Sequence, residues 1–335
     1  KDRKENEMAA EKRPTGSGGT PVRGPTLPEI RAAAKRLNGV AVRTPLVPLH
    51  SFETTLDILL KPESLQPVGS YKLRGVYNWA ASLSEEERAR GFSTHSAGNT
   101  AQALGYVARL FNVPARSLLP EDAPKVKIDG VKSYGVAPVP LPFAELLNFV
   151  FESRWELEPY SFLNPWGDEK MLAGNATIGL EIIEDLPNVD SVYVPVGGGG
   201  LVGGIGSAVK ALNPTARVIG VQSESCPSLF ASLKAGGPTW VESLPTICDG
   251  TIVPLVVDEM YSLLQQVVDD VVLVSEDQVK AAIKRLLLGN KLLVEGSGAM
   301  SVAAAVATPV EQRGRTVCIL SGSSIDTDKL MAIVA

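Results

Sequence analysis

One lysine stands in a setting that suits nucleophilic chemistry. Lys72 follows a turn imposed by Pro67 and Gly69, within the segment ESLQPVGSYKLRG over residues 63–75. It falls beside Tyr71 at the start of a predicted helix, where partial burial and the positive helix end both disfavour a charged amine. A neutral amine can form a Schiff base with an aldehyde. A solvated surface lysine in a turn is the alternative interpretation of this segment.

A run of glycines is typical of an anion-binding loop. Four of them follow the apolar stretch SVYVPV: Gly197, Gly198, Gly199 and Gly200. Their backbone N–H groups can converge on one point, and the helix predicted from Leu201 onward adds partial positive charge, so the loop suits a phosphate. The run also fits the dinucleotide pattern G-x-G-x-x-G weakly, and a tight turn without a ligand remains possible. A P-loop is excluded, because no Gly-Lys-Ser/Thr follows.

Two further segments hold small polar residues, one just before a predicted helix and one just after a predicted strand. The first is SAGNT: Ser96, Ala97, Gly98, Asn99 and Thr100. Its backbone N–H groups could bind a carboxylate, and the Asn99 amide could bond a ring hydroxyl, although an ordinary N-cap turn has the same composition. In the second, Ser321 lies just past the strand TVCIL, where a neutral hydroxyl could bond a pyridine nitrogen without protonating it.

Apolar strand patterns alternate with helical patterns along the rest of the chain. Strands are predicted at 191–196, 218–221, 271–274 and 316–320. Capping boxes, Ser84 with Glu87 and Ser275 with Gln278, open two of the helices. This alternation predicts parallel sheets, whose ligands lie beyond the carboxyl ends of the strands. Residues 1–25 are charged and then rich in Gly, Pro and Ser, and we expect them to be disordered.

Composition narrows the classes of protein that fit. The 335 residues, enough for about two domains, carry 32 Lys and Arg against 37 Asp and Glu, a net charge of −5 that argues against nucleic-acid binding. No apolar stretch is long enough to span a membrane. The three cysteines and two histidines, His50 and His95, match no metal pattern or disulfide scaffold. A reducing, cytoplasmic location is therefore expected.

In their order along the chain, these segments resemble the fold-type II pyridoxal-phosphate enzymes, and within them the threonine/serine dehydratase and serine racemase group. The resemblance is carried by ESLQPVGSYKLRG, SAGNT, VGGGGLVGG and LSGSS, with weaker similarity at 174–181, 249–250 and 295–299. It implies an α/β fold of two open twisted domains, tryptophan synthase beta-like, with pyridoxal 5'-phosphate in the cleft between them. Residues 26–64 and 160–335 would form the large cofactor-binding domain and residues 65–159 the small substrate-binding domain. A homodimer is also implied.

The same resemblance implies a role for each candidate residue. Lys72 would hold the cofactor as a Schiff base, Tyr71 would pack near its ring, Asn99 would bond the ring hydroxyl and Ser321 would meet the pyridine nitrogen. The cofactor phosphate would bind Gly197, Gly198, Gly199, Gly200 and Leu201. The substrate carboxylate would bind Ser96, Ala97, Gly98, Asn99 and Thr100.

The expected activity is β-elimination of L-threonine, L-serine or a related β-hydroxy amino acid to a 2-oxo acid and ammonia, catalysed by a carbon–nitrogen lyase. Ala97 stands where racemases of the group have a serine that supplies a proton, which disfavours racemisation. Gln222 stands where racemases have an acid for a divalent cation, so no metal site is expected. Thr100 stands where the group has a histidine, so the identity of the substrate stays open.

Four alternatives remain. They are a serine racemase-like enzyme, a dehydratase of a bulkier phenylserine- or hydroxyaspartate-like substrate, a non-catalytic binding protein and, most distantly, a nicotinamide-dependent oxidoreductase. The aromatic segment 141–155 is either a core helix or the wall of a pocket for such a bulkier amino acid.

Overall fold

The alternating patterns form two separate sheets in the computed structural model, which describes residues 19–50 and 57–335. Within these residues the large sheet has six strands: β1 (Val47–Pro48), β2 (Ile58–Lys61), β7 (Ser191–Pro195), β8 (Arg217–Ser223), β9 (Asp270–Val274) and β10 (Thr316–Ile319). Their spatial order is β1-β2-β10-β7-β8-β9, and every pair except β1–β2 is parallel. The carboxyl ends of β2, β10 and β7 therefore meet at one edge of the sheet.

The small sheet has four parallel strands in the described part of the chain: β3 (Phe92–His95), β4 (Ala115–Pro120), β5 (Val136–Leu141) and β6 (Ser161–Leu163). Their spatial order is β5-β4-β3-β6. Ser161 of β6 pairs with Phe92 of β3, so the small sheet includes a strand just beyond residue 159, the predicted end of the small domain. A strand of three residues is too short for a sequence pattern to reveal.

Fourteen α-helices are described in residues 19–50 and 57–335. They are α1 (Leu27–Leu37), α2 (Lys72–Ala81), α3 (Glu85–Ala89), α4 (Asn99–Phe111), α5 (Lys125–Ser133), α6 (Phe143–Phe151), α7 (Glu169–Asp185), α8 (Gly200–Leu212), α9 (Ser228–Ala235), α10 (Asp258–Val267), α11 (Glu276–Arg285), α12 (Gly296–Ala307), α13 (Val310–Arg313) and α14 (Thr327–Val334). The predicted capping boxes at Ser84 and Ser275 are confirmed, and α2 begins at Lys72 as predicted. None of these helices has both the length and the apolar composition needed to cross a membrane.

The large sheet is buried on both faces, as expected for parallel strands covered by helices. Along β7, Val192 and Val194 belong to one apolar core, whereas Tyr193 belongs to the core on the opposite face. A third core lies in the small domain and joins α2 and α4 to β3. Each sheet therefore has its own packed interior, which leaves a cleft between the two.

Helices α2 and α7 form the closed side of that cleft. A Cβ added to Gly174 would lie 2.4 Å from the Arg74 carbonyl oxygen, and one added to Gly75 would lie 2.6 Å from Met171 Cγ. Only glycine permits two helix backbones to approach this closely. The contact ties the helix that begins at Lys72 firmly to the large domain.

Residues 1–18 of the segment that was predicted to be disordered lie outside the described residues. Residues 22–25, also assigned to that segment, contact the large domain in the structure. The Val22 N–H donates to the Glu259 carbonyl oxygen at 2.8 Å, and Arg23 forms an ion pair with Glu29 of α1 at 2.7 Å. These contacts bring the chain to α1, where Thr26 and Glu29 form a capping box.

Candidate active site

A cavity of about 660 Å³ occupies the cleft between the two sheets. All the predicted site residues line it: Tyr71, Lys72, Ser96, Ala97, Gly98, Asn99, Thr100, Gly197, Gly198, Gly199, Gly200, Leu201 and Ser321. Parallel topology explains their meeting, because the segments after β2, β10 and β7 leave the same sheet edge. The segment after β3 faces them from the small domain.

Lys72 is held against the end of β10. The Tyr71 N–H donates to the Ser321 carbonyl oxygen at 3.0 Å, and Ser70 forms an isolated antiparallel bridge with Gly322. The Lys72 Nζ atom lies 5.2 Å from the centre of the Tyr71 ring. Backbone hydrogen bonds thereby fix two residues of the predicted site, Tyr71 and Ser321, beside each other although they lie more than 240 positions apart in the sequence.

A buried ionic cluster anchors the segment that carries Lys72. Arg74 donates from Nε to Glu63 Oε2 at 2.7 Å and from Nη1 to Glu181 Oε1 at 2.6 Å. Lys61 donates to Glu181 Oε2 at 2.5 Å, and Thr44 Oγ1 donates to Glu63 Oε1 at 2.7 Å. Burial alone would lower the pKa of Arg74, but the charges and hydrogen bonds of the two carboxylates outweigh it and raise that pKa. Both carboxylates and both cations are therefore paired away from water.

Two positions of the glycine loop, residues 197–200, require glycine for steric reasons. A Cβ on Gly198 would lie 2.9 Å from Trp166 Cδ1, and one on Gly199 would lie 2.6 Å from Leu264 Cδ1. Gly199 also has a φ of +97°, which side chains disfavour. The loop ends at Gly200, the first residue of α8, so that the N–H groups of a helix start are directed towards the cavity.

The SAGNT segment joins the small domain to the large one. Asn99 begins α4, and its Nδ2 donates to Glu295 Oε1 at 2.9 Å. The buried Asn99 Oδ1 has no hydrogen-bond partner among the described residues. Ser96 Oγ accepts a hydrogen bond from the Gly98 N–H at 3.1 Å, and a Cβ on Gly98 would meet nothing within 4 Å. Open space therefore faces this loop.

Two buried titratable residues of the cavity wall, Glu295 and His95, lie outside the predicted site residues. Burial, followed by the charge of Asp249, raises the pKa of Glu295 to about 7. Burial, followed by the charge of Lys72, lowers the pKa of His95 to about 4, so that its ring is neutral at physiological pH. Glu295 begins the EGSGA similarity, and His95 directly precedes SAGNT, so only Glu295 belongs to a segment that carries the resemblance.

The aromatic segment 141–155 is a core element in the structure. Among the α6 side chains that the structure describes, Leu146 and Phe149 pack into a cluster with Trp155 and Phe162. The Phe162 ring stacks on His95, with ring centres 5.9 Å apart. This helix therefore supports the cavity wall from behind.

Gln222, at the position where the resemblance implies an acid in racemases, is engaged in hydrogen bonds. Its Oε1 accepts from the Phe230 N–H at 2.9 Å, and its Nε2 donates to Ser228 Oγ at 3.3 Å. The amide thus holds the first turn of α9. In the described ranges, no three His, Cys, Asp or Glu side chains are grouped to hold a metal ion.

The arrangement fits an aromatic phosphate ester that carries an aldehyde. The loop of residues 197–200 has no side chains and opens at a helix start, and the amine of Lys72 lies in the same cavity. Within the described part of the chain, Asn99 Oδ1 accepts no hydrogen bond. The sequence matches the family described as pyridoxal-phosphate dependent enzyme over residues 38–322. The chain belongs to that family. Its cofactor is pyridoxal phosphate, which overturns the nicotinamide alternative.

Several relatives of this pyridoxal-phosphate enzyme carry assigned activities. It is 41% identical to an L-threonine ammonia-lyase of Thermotoga maritima, over 92% of this chain and 78% of the relative. It is 38% identical to the catabolic L-threonine dehydratase TdcB of Escherichia coli, over 91% of this chain and 94% of the relative. Both alignments extend through the two domains.

Solved structures show the same architecture. The processed form of threonine deaminase isoform 2 from Solanum lycopersicum matches with a TM-score of 0.81 and 31% identity, over 96% of this chain and 94% of that one. Serine racemase from Dictyostelium discoideum matches with a TM-score of 0.79 and 32% identity, over 90% of this chain and 99% of that one. The predicted two-domain α/β fold of type II is confirmed.

Proposed function

We propose that this enzyme converts L-threonine or L-serine to the corresponding 2-oxo acid and ammonia by β-elimination. The observation that carries the proposal is the single cavity that brings Lys72, the SAGNT segment and the glycine loop together. The names of the T. maritima and E. coli relatives support the choice of substrate. Once the β-hydroxyl has left, hydrolysis would release the amine nitrogen as ammonia and leave the 2-oxo acid.

The residues present suit pyridoxal phosphate as follows. The glycine loop with Leu201 would bind the phosphate, Asn99 the ring hydroxyl and Ser321 the pyridine nitrogen, while Tyr71 would pack near the ring. When bound, the cofactor supplies an aldehyde that condenses with amines and a conjugated ring that stabilises negative charge at the substrate α-carbon. A serine hydroxyl at this position would leave the pyridine nitrogen uncharged, which would favour elimination over transamination.

Lys72 would perform two tasks. Its Nζ atom would hold the cofactor through a covalent bond and, once displaced by the substrate amine, would take the proton from the substrate α-carbon. Position matters for both tasks, because proton transfer requires hydrogen-bond reach. The backbone bond from Tyr71 to Ser321 and the ion pairs of Arg74 fix the start of α2, and with it the backbone of Lys72.

The segment from Ser96 to Thr100 would bind the substrate carboxylate through backbone N–H groups and hydroxyls. The Ala97 side chain has no acidic proton, so it would supply none to the face of the substrate opposite Lys72. That absence favours a lyase over the racemase alternative, although serine racemases are among the similar structures. The packing of α6 into a core cluster favours a small substrate over the bulkier alternative.

We also propose a homodimer, by resemblance to the family, with an amino acid as the small-molecule partner and with no nucleic acid or membrane as a partner. A net charge of −5 offers no general basic surface for phosphates. All three cysteines are free thiols and buried, which supports a location in the reducing cytoplasm.

The test is ammonia and 2-oxo acid release from a panel of L- and D-β-hydroxy amino acids by the purified holoenzyme. Threonine or serine should be the preferred substrate. Lys72→Ala should lower the rate by a factor on the order of 10³ or more, since a positioned base alone supplies 10²–10⁴. The visible absorption band of the bound cofactor should change with it.

Lys132→Ala, at an exposed lysine of α5, is the control and should retain the full rate. Full turnover by Lys72→Ala, or no ammonia from any member of the panel with wild-type enzyme, would refute the proposal.

A further inference from the structure

An ion pair joins the two domains across the opening of the cavity. Lys127, on α5 of the small domain, places its Nζ 3.0 Å from Oδ2 of Asp249 in the large domain. Lys329 of α14 approaches the same carboxylate at 4.0 Å. All three side chains line the cavity. A carboxylate of one domain is thus placed between a cation of the other domain and a second cation of its own.

The neighbouring contact also spans the cleft. Asn99 of the small domain donates to Glu295 of the large domain at 2.9 Å. The two contacts are adjacent, because Gly250 follows Asp249 and a Cβ on it would lie 3.5 Å from Glu295 Oε1. Parting the domains at the ion pair would therefore also separate Asn99 from Glu295.

The opposite side of the cleft is much stronger. There α2 and α7 are in backbone contact, and Arg74 is enclosed with its two carboxylates away from water. The side chains of Lys127 and Asp249 are 37% and 29% exposed, and a solvent-screened pair of this kind contributes little. Breaking a buried charge pair costs several times more. Relative motion of the domains should then open the cleft at the ion pair and bend at α2 and α7.

We propose that Lys127 and Asp249 are positioning residues that hold the cleft closed over the cavity. The domains part at this pair to admit and release ligands, and Asn99 is brought against Glu295 when they close. The inference goes beyond the proposed function and does not depend on which amino acid is converted. It assigns a role to Lys127, which no sequence motif had indicated, and to Asp249.

The experiment is hydrogen–deuterium exchange of the holoenzyme followed by mass spectrometry. Lys127→Gln should speed exchange about two- to five-fold in residues 96–101 and 295–300, the range that a partly exposed ion pair can supply. Lys127→Arg should restore the wild-type rate. Lys125→Gln is the matched control, because Lys125 lies on the same helix and pairs only locally with Asp129. Exchange needs no turnover, so absence of ammonia release would leave this test intact.

A double-mutant cycle decides whether the effect belongs to the pair. If the two residues act together, Asp249→Asn combined with Lys127→Gln should exchange no faster than the faster single variant. In steady-state kinetics KM should rise with little change in kcat, since the reacting groups are untouched. Unchanged exchange in Lys127→Gln, equal acceleration in Lys125→Gln, or fully multiplicative effects in the double variant would each overturn the proposal.

Discussion

At the scale of single residues, we expect Ala97 to favour a lyase over a racemase. Ala97→Ser would introduce a hydroxyl beside the substrate on the face opposite Lys72. We expect D-serine formation from L-serine to rise by a factor on the order of 100, the low end of what a positioned proton donor supplies. Chiral chromatography of reactions run in D₂O would measure both the D-enantiomer and its deuterium.

Ala97→Gly is the control for that experiment, because it changes the size of the side chain without adding a proton. Deuterated D-serine should be absent from it. If Ala97→Ser forms no more D-serine than Ala97→Gly does, then Ala97 does not face the substrate as proposed.

Glu295 should make stability depend on pH. Burial raises its pKa from 4.5 to about 7, so the folded state binds this proton more tightly than the unfolded state does. The contribution is fully present below about pH 4.5 and is lost as the pH rises through about 7. The free energy of unfolding should fall by an amount on the order of 3 kcal/mol when this contribution is lost. His95 changes the stability in the opposite direction. Burial lowers its pKa to about 4, so its contribution to stability is gained as the pH rises from about 4 to 6.5.

Comparing wild type with Glu295→Gln isolates the carboxyl group from His95. In urea unfolding of the cofactor-free protein, wild type should lose stability relative to this variant as the pH rises from 5 to 8. Glu242→Gln, at an exposed carboxyl, is the control for the chemical change. Parallel stability curves for wild type and Glu295→Gln would show that the carboxyl group titrates normally.

At the scale of elements, the buried ionic cluster helps to tie the start of α2 to the large domain. Arg74→Met would leave Glu63 and part of Glu181 buried without their cation. We expect a loss of about 3–5 kcal/mol in the free energy of unfolding. Urea denaturation measures it directly.

Arg43→Met is the matched control for the cluster. Arg43 also pairs with two carboxylates, Glu184 and Asp185, but its side chain is 49% exposed. Its loss should cost less than about 1 kcal/mol. Similar losses in the two variants would mean that burial does not distinguish the two clusters.

Strand β5 shows where element prediction from sequence stops. Its sequence VAPVPL holds Pro138 and Pro140, which cannot donate hydrogen bonds and argue against a strand. The structure accommodates them because β5 lies at an edge of the small sheet, with a partner on one side only. An edge position is a property of the assembled sheet, so the local pattern could not reveal it.

At the scale of the whole molecule, the two sheets meet at a cleft with a strong and a weak side. The strong side is buried and glycine-packed, whereas the weak side depends on partly exposed polar contacts. Such a distribution permits the cavity to open without disturbing either core. The segments from the large domain and SAGNT from the small one would form a working site only when the domains are closed.

The sequence by itself determined the segments that meet in the cavity and the family to which they point. Small residues, glycines and a lysine after a turn form local patterns, so they can be recognised in order along the chain. The tertiary structure alone decided the pairings: Asn99 with Glu295, Lys127 with Asp249, and Arg74 with Glu181. Such partners lie more than 100 residues apart, and their burial and distances depend on how the two sheets pack, which no local pattern contains.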